Sequence, residues 1–368
     1  MDTVFIKLEE LKRFMIKVFE RAGVPQKDAE ICADNLITAD RLGIDSHGIN
    51  RLKEIYYDRI KMGIQNPITN FEIVKEGPTT AVIDGHNGMG HVIGYKAMKL
   101  AIEKAKNFGL GMTVVRNSNH YGIAGYYALM ACKEDMIGIT GTNARPSIAP
   151  TFGTENMLGT NPLTFGIPTD EEFPFLLDCA TSITQRGKIE SYAKKGIPCP
   201  PGLVITSDGS TLTDAELILK YLTEDRCALL PLGGAGEETA GYKGYGYATV
   251  VEILSASLQN GAFLKMLSGI NEKKERVPYR LGHFFIAINI SSFIEPETFK
   301  KITGNILRSL RASKKAPGCS RIYTAGEKEY IASIEREKNG VPINKKLQEE
   351  IKTMISELNL KDFNFPFL

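Results

Sequence analysis

The chain has 368 residues, of which 43% are hydrophobic and 24% charged, a balance typical of a folded globular protein. Lys and Arg total 45 against 43 for Asp and Glu, and the sequence shows no long basic stripe, which argues against a nucleic-acid partner. The six cysteines form no Cys-x-x-Cys pair, and no apolar run is long enough to cross a bilayer. We therefore expect free thiols, no metal site, no membrane association and a cytoplasmic location.

The first part of the chain is predicted to be helical. Residues 4–22 carry apolar side chains at helical spacing, and a second helix is predicted at 28–42, after Pro25. Glycine and proline residues then interrupt the pattern. We expect a helical N-terminal region over residues 1–75, packed with a C-terminal helical segment over 335–368.

From about residue 76, predicted strands and helices alternate, which indicates an α/β sheet covered by helices over residues 76–334. Strands are predicted at 80–84, 111–115, 137–142, 163–167, 175–178 and 283–290. Helices are predicted at 95–107, 126–134, 213–222, 247–258, 296–313 and 345–358.

The glycine pattern of a dinucleotide-binding Rossmann turn is missing. Such a turn reads Gly-x-Gly-x-x-Gly and lies between a strand and a helix. Gly109 and Gly111 precede their predicted strand, which is the wrong order. Gly244 and Gly246 lack both the third glycine and an immediately preceding strand, so we reject this fingerprint.

A polar cluster follows the second predicted helix, with Asp45-Ser46-His47-Gly48 and then Arg51. Ser46 and His47 could bind a substrate oxygen, and the planar guanidinium of Arg51 suits bidentate capture of a carboxylate. The alternative is a helix cap, with Asp45 or Ser46 bonded to free N–H groups and Arg51 in a surface ion pair.

His120 lies in a turn, 116–122, between a β-branched strand and a predicted helix. A histidine at such a junction is a candidate proton carrier, because its ordinary pKa is near neutrality. The alternative is a loop histidine that only hydrogen-bonds its neighbours. His86, His91 and His283 have no partners at metal-ligand spacing, and we assign them structural roles.

Three further segments could approach a ligand. Asn143 ends a small polar turn after a strand, and Asp178-Cys179-Ala180 lies where a strand gives way to a helix. Lys243 and Gly244 belong to the glycine-rich run 241–246, which is suited to a phosphate. The alternatives are ordinary strand-end turns, helix capping by Asp178 or Thr181, and a solvated lysine in a flexible surface loop.

Seven segments, taken together and in order, resemble the type-2 malate/L-lactate dehydrogenase family, which includes malate, ureidoglycolate and sulfolactate dehydrogenases and some cyclic imino-acid reductases. They are DSHGINRL (45–52), RNSNHYGIAGYY (116–127), GTNPLTFGIP (159–168), LDCATS (177–182), GKIESYAKKGIPCPPG (187–202), GYKGYG (241–246) and GHFFIAI (282–288). One departure is Tyr242, where the family commonly has histidine.

The resemblance implies a non-Rossmann, mixed-sheet α/β domain that binds NAD, or alternatively NADP, together with a homodimeric assembly. It implies that His120 is the proton acceptor and that Ser46, His47 and Arg51 form the substrate pocket. The cofactor-binding residues that it implies are Asn143, Asp178, Cys179, Ala180, Lys243, Gly244, Pro317 and Gly318.

The expected reaction is hydride transfer between NAD(P) and a small 2-hydroxy acid, with malate as the first candidate. Lactate, ureidoglycolate, sulfolactate or a cyclic imine are alternative substrates. A dinucleotide-binding sensor without catalytic activity is the alternative outside the enzymes, although such a protein need not retain His120, Arg51 and Ser46 together.

Overall fold

The computed structural model describes residues 3–368, and its centre is a mixed sheet of seven strands in the order β2-β3-β4-β10-β5-β6-β7. Only β3 and β4 pair in parallel within this sheet. The strands are β1 (Val4–Ile6), β2 (Glu72–Glu76), β3 (Thr80–Asp84), β4 (Leu110–Ser118), β5 (Met136–Thr142), β6 (Leu163–Ile167), β7 (Phe175–Cys179), β8 (Val204–Thr206), β9 (Cys227–Leu229), β10 (Leu281–Asn289) and β11 (Val341–Ile343).

Eleven α-helices occur within residues 3–368. They are α1 (Leu8–Arg21), α2 (Gln26–Arg41), α3 (Asp58–Lys61), α4 (Gly90–Phe108), α5 (Gly125–Cys132), α6 (Arg186–Lys195), α7 (Ala215–Thr223), α8 (Gly241–Ala256), α9 (Pro296–Ala312), α10 (Glu327–Asn339) and α11 (Lys345–Leu358). A π-helix, Leu52–Tyr57, leads directly into α3. None of the helices in this part of the chain has the length and apolar character needed to cross a bilayer.

The two ends of the described chain share one hydrophobic core. The apolar side of α1 packs with α2 and with residues of α11, and β1 pairs with β11 in a two-stranded sheet. The sequence predicted a helix from residue 4, but its first residues form β1, because Ile6 is buried by pairing with Val341. Met1 and Asp2 of the predicted N-terminal region lie outside the described residues. The domain limits at 75 and 335 stay a prediction.

The central sheet is covered by helices on both faces. Side chains alternate along a strand, so that Val115 and Phe285 pack with α4 and α5, whereas Val114 and Phe284 pack with Val251 of α8. Helices α6 and α7 and the small β8-β9 sheet form a separate apolar cluster. The loop after β4 contacts Asn35 of α2, and the loop after β7 contacts the segment that precedes α8.

Several bounds differ from those predicted. Helix α8 begins at Gly241, six residues before the predicted start at 247, although glycine disfavours helices. The reason is close packing: a Cβ on Gly244 would lie 2.1 Å from the carbonyl oxygen of Leu232. Helices α6 and α10 were not predicted, since their sequences carry mostly charged or small residues with few apolar positions.

Candidate active site

His120 lies in the turn between β4 and α5, and the turn is held by a buried side chain from α2. The Asn35 amide donates to the carbonyl oxygen of Tyr121 at 3.2 Å and accepts from the N–H of Ile123 at 3.3 Å. Gly122 has a φ of +78°, and a Cβ there would meet Asn35 and His91. The tight turn therefore depends on glycine at this position. The ring of His283 stacks on that of Tyr121, with the ring centroids 4.5 Å apart.

The phenol of Tyr56 lies against His120. Its hydroxyl oxygen is 2.6 Å from Nδ1 of the histidine, and the Tyr56 side chain is fully buried. The N–H of Gly122 also points to Nδ1, at the longer distance of 3.3 Å. Sequence reasoning did not single out Tyr56, because its contact depends on the π-helical turn between Arg51 and α3, which no sequence periodicity indicated.

The residues of the Ser46-His47 motif meet His120. The rings of His47 and His120 are nearly parallel, with centroids 5.7 Å apart. The Ser46 hydroxyl lies 2.9 Å from Nδ1 of His47, and Nε of Arg51 donates to the Ser46 carbonyl oxygen at 2.6 Å. All four predicted catalytic residues are thus brought together, and neither the cap by Ser46 nor the surface ion pair of Arg51 is found in the described chain.

The buried carboxyl group of Asp40 holds the backbone that follows the Ser46-His47 motif. Asp40, at the end of α2, accepts the N–H of Ile49 at 2.9 Å and is completely buried. Gly48 packs so tightly on Asp40 that a Cβ would overlap its carboxyl group. Burial raises the pKa of Asp40 to about 8. The raised pKa favours the neutral form of the carboxyl group, which lowers the cost of burying it.

The two facing histidines are both kept neutral by their surroundings. Burial lowers the pKa of His120 well below its usual value, and the neighbouring His47 acts in the same direction. Burial and the positive charge of Arg51 lower the pKa of His47 to about 4. A neutral imidazole beside an arginine is an arrangement that can accept a proton from an anionic substrate.

Asp178 of the predicted cofactor set points into the protein. Its carboxylate accepts the N–H of Gly125 at the start of α5, at 2.7 Å, and the hydroxyl of Thr164 at 2.9 Å. Burial raises its pKa. The side chain therefore anchors α5, whereas Cys179 and Ala180 continue toward the segment after β9.

The backbone beyond Ala180 meets the loop that precedes α8. The carbonyl of Thr181 accepts the N–H of Leu232 at 2.8 Å, and Gly244 packs on the Leu232 backbone. Lys243 is exposed in the first turn of α8. The structure thus brings the predicted segments 178–180 and 243–244 close together.

A left-handed glycine loop adjoins these segments, and sequence reasoning missed it. Gly233, Gly234 and Gly236 all have positive φ, between +70° and +95°. The run Gly-Gly-Ala-Gly was a visible signal, because such a density of glycine marks backbone conformations that other residues avoid.

The remaining predicted cofactor residues are less closely joined to this group. Both ends of the buried Asn143 amide are engaged: Oδ1 accepts the N–H of Gly282 at 2.8 Å, and Nδ2 donates to Ala262 at 3.1 Å. Pro317 and Gly318 lie in an exposed loop between α9 and α10. No hydrogen bond within residues 3–368 connects that loop to Lys243 or Ala180.

Comparison with known proteins identifies relatives that match nearly the whole chain. The model of the family described as malate/L-lactate dehydrogenase matches residues 6–352. A malate dehydrogenase of Pyrococcus abyssi is 46% identical over 97% of this chain and 96% of its own length. An L-sulfolactate dehydrogenase of Methanocaldococcus jannaschii is 40% identical over 98% of this chain and 99% of its own.

A solved structure agrees with the sequence comparison. The malate dehydrogenase of Entamoeba histolytica superposes with a TM-score of 0.94 at 44% identity, covering 99% of both chains. The family resemblance inferred from the seven motifs is therefore confirmed. The chain belongs to the malate/L-lactate dehydrogenase family.

Proposed function

We propose that the protein is an NAD(P)-dependent 2-hydroxy acid dehydrogenase that interconverts malate and oxaloacetate. The observation that carries this proposal is His120, a half-buried histidine with a lowered pKa, together with Arg51, whose guanidinium makes no ion pair within residues 3–368. The names of the similar proteins from Pyrococcus and Entamoeba support malate as the substrate.

In the proposed reaction, His120 takes the hydroxyl proton of the 2-hydroxy acid. Arg51 binds the carboxylate next to the reacting carbon, and Ser46 or His47 orients the remaining oxygens. Bound nicotinamide would accept the hydride from that carbon, or return it in the reverse direction. In that direction the imidazolium of His120 polarises the 2-oxo group and donates the proton. Proton transfer of this kind contributes about 10²–10⁴-fold in rate.

The proposed reaction needs one particular tautomer of His120, and we assign its selection to Tyr56. Only a neutral ring with its proton on Nδ1 leaves Nε2 free to accept a proton. The phenol oxygen, 2.6 Å from Nδ1, can accept that hydrogen bond and keep it when the ring becomes charged. The N–H of Gly122 points to the same nitrogen from 3.3 Å and favours the opposite tautomer, so this assignment requires the shorter contact with the phenol to dominate.

We propose that the dinucleotide binds without a Rossmann turn, at the segments that meet near Leu232. The exposed Lys243 and the N-terminus of α8 suit a phosphate, and the backbone of Cys179 and Ala180 borders the same place. The positive-φ glycines before α8 permit a close backbone approach to a ligand. Asn143, Asp178, Pro317 and Gly318 stay predicted members of this site, with Asp178 and Asn143 shaping its backbone.

We also propose a homodimer that uses the outer side of α8. This helix buries Val251 against the sheet but leaves Tyr247, Val250 and Ile253 about half exposed. Exposed apolar side chains grouped on one element are typical of a protein interface. The cytoplasmic location expected from the sequence stays a prediction.

The experiment that tests the function is a substrate panel. Purified protein is mixed with NADH or NADPH and with oxaloacetate, pyruvate, sulfopyruvate or a cyclic imine, and the near-ultraviolet absorbance of the reduced cofactor is followed. Oxidation with oxaloacetate supports the proposal. Oxidation only with another compound refutes malate as the substrate, and cofactor binding with no oxidation on any compound supports the sensor alternative.

A further inference from the structure

Arg59 is a second arginine close to His120. It lies one turn beyond Tyr56, and its guanidinium stacks on the ring of Tyr279 at 4.3 Å. Tyr56, which precedes it by three residues, lies 2.6 Å from Nδ1 of His120, and the charge of Arg59 acts to lower the pKa of that histidine. Arg59 is partly buried, yet no carboxylate within residues 3–368 comes within 4.0 Å of it. Glu54 acts on it only from a distance and is itself exposed.

Arg145 brings a further positive charge to the same place. It follows β5 by three residues, in a loop that Asn143 ties to the start of β10 through Gly282. Tyr279, the stacking partner of Arg59, lies two residues before Leu281, the first residue of β10. Burial lowers the pKa of the Arg59 guanidinium, and the nearby charge of Arg145 acts in the same direction.

These two like charges repel one another, and neither arginine forms an ion pair with a carboxylate within residues 3–368. Arg145 is exposed and makes no ion pair or hydrogen bond within residues 3–368. Arginines arranged in this way are typical of a site for a carboxylate, sulfonate or phosphate. Arg51, the proposed ligand of the first carboxylate, also makes no ion pair in the described chain.

We propose that Arg59 and Arg145 bind a second anionic group of the substrate, so that the enzyme selects 2-hydroxy acids with an acidic side chain. This inference rests on the proposed function. Arg51 binds the carboxylate beside the reacting carbon, and the Arg59–Arg145 pair binds the distal carboxylate or sulfonate. Malate and sulfolactate carry both groups, whereas lactate carries one.

The test compares Arg145→Gln and Arg59→Lys with the wild type and with Arg21→Gln, an exposed arginine at the end of α1. Initial rates are measured with oxaloacetate, sulfopyruvate and pyruvate. Inhibition constants are measured against oxaloacetate for malonate, which has two carboxylates, and for oxamate, which has one. Cofactor-saturated protein is also heated with malonate or with acetate, which reports binding without turnover.

For Arg145→Gln we expect KM for oxaloacetate and the inhibition constant of malonate to rise about 10- to 100-fold, with that of oxamate unchanged. Malonate should then no longer raise the melting temperature. Arg59→Lys keeps the positive charge but loses the planar guanidinium that stacks on Tyr279. We expect smaller rises in KM for oxaloacetate and in the inhibition constant of malonate for this variant. Arg21→Gln should match the wild type. Comparison of sulfopyruvate with oxaloacetate identifies which distal group is preferred.

Equal weakening of malonate and oxamate, or no weakening of malonate, would overturn the role of the pair while leaving the dehydrogenase assignment intact. A wild-type protein that reduces no 2-oxo acid with either cofactor would instead refute the proposed function itself. The malonate melting experiment still gives a result in that case. Protection that is lost in Arg145→Gln and kept in Arg21→Gln supports the anion site, and protection that is kept in both overturns it.

Discussion

The hydroxyl of Tyr56 and Nδ1 of His120 lie 2.6 Å apart, although 64 residues separate them in the chain. If the phenol selects the tautomer, Tyr56→Phe should lower kcat about 10- to 100-fold with little change in cofactor affinity. The variant loses the phenol oxygen that accepts a hydrogen bond from the charged His120 ring, so the pKa of His120 should fall. The pH below which the rate of 2-hydroxy acid oxidation declines should therefore be lower than in the wild type. Steady-state kinetics over pH measure both effects.

Tyr57→Phe is the matched control, since its hydroxyl binds Glu357 instead. We expect this variant to keep the wild-type kcat and pH profile. Equal losses in the two tyrosine variants would mean that general packing, and not the contact with His120, explains the effect.

His120→Ala should lower kcat at least about 10²-fold, because the proton acceptor is removed while the proposed cofactor segments are untouched. Binding of NADH or NADPH, measured by fluorescence titration, should stay near the wild-type value. His86→Ala is the control, as His86 is an exposed histidine that bonds Glu72. Unchanged turnover in His120→Ala would remove this residue from the mechanism.

The buried His91 makes stability depend on pH in a defined direction. Its ring nitrogens have no hydrogen-bond partner within residues 3–368, and burial lowers its pKa from 6.5 to about 3. Between these values the unfolded chain binds a proton that the folded chain does not. The free energy of unfolding should therefore fall as pH falls, by about 1.4 kcal/mol per pH unit for this residue.

Urea unfolding of the wild type and of His91→Leu at several pH values measures this contribution. Between about pH 6.5 and about pH 3, the free energy of unfolding of the variant should depend less steeply on pH, by about one proton taken up on unfolding. This difference in slope does not depend on the stability of the variant at neutral pH. Equal slopes for the two proteins would contradict the assignment of a neutral His91 in the folded state.

The proposed dimer predicts that Ile253→Glu yields a monomer, because a charge would be buried in the interface. Light scattering coupled to gel filtration measures the mass. Ile68→Glu is the control, as Ile68 is exposed in a loop outside α8. A monomeric wild type, or a dimer that persists in Ile253→Glu, would contradict the use of this face.

Much of the fold could be predicted because local signals agreed with the final packing. The predicted ranges 163–167 and 345–358 coincide with β6 and α11, where apolar periodicity is clear. Helix α8 began earlier than predicted because close backbone packing at Gly244 outweighs the low helix propensity of glycine. Tertiary contacts of this kind leave no local pattern in the sequence.

The candidate site was predictable in its motifs but not in its contacts. Ser46, His47, Arg51 and His120 were chosen from residue type and resemblance, and they lie together in the structure. Their catalytic and binding roles stay predictions. Tyr56, Asp40 and Arg59 were missed because an aromatic, an acidic and a basic residue in a helical stretch usually serve the core or the surface.

The π-helix at Leu52–Tyr57 makes the active site sensitive to chain length as well as to residue identity. Each residue added to or removed from a helix rotates the downstream residues by about 100°. Deleting Lys53 or Glu54, neither of which touches His120, would turn Tyr56 away from the histidine while Arg51 stayed in place. Insertions and deletions between Arg51 and Tyr56 should therefore be as damaging as substitution of the tyrosine itself.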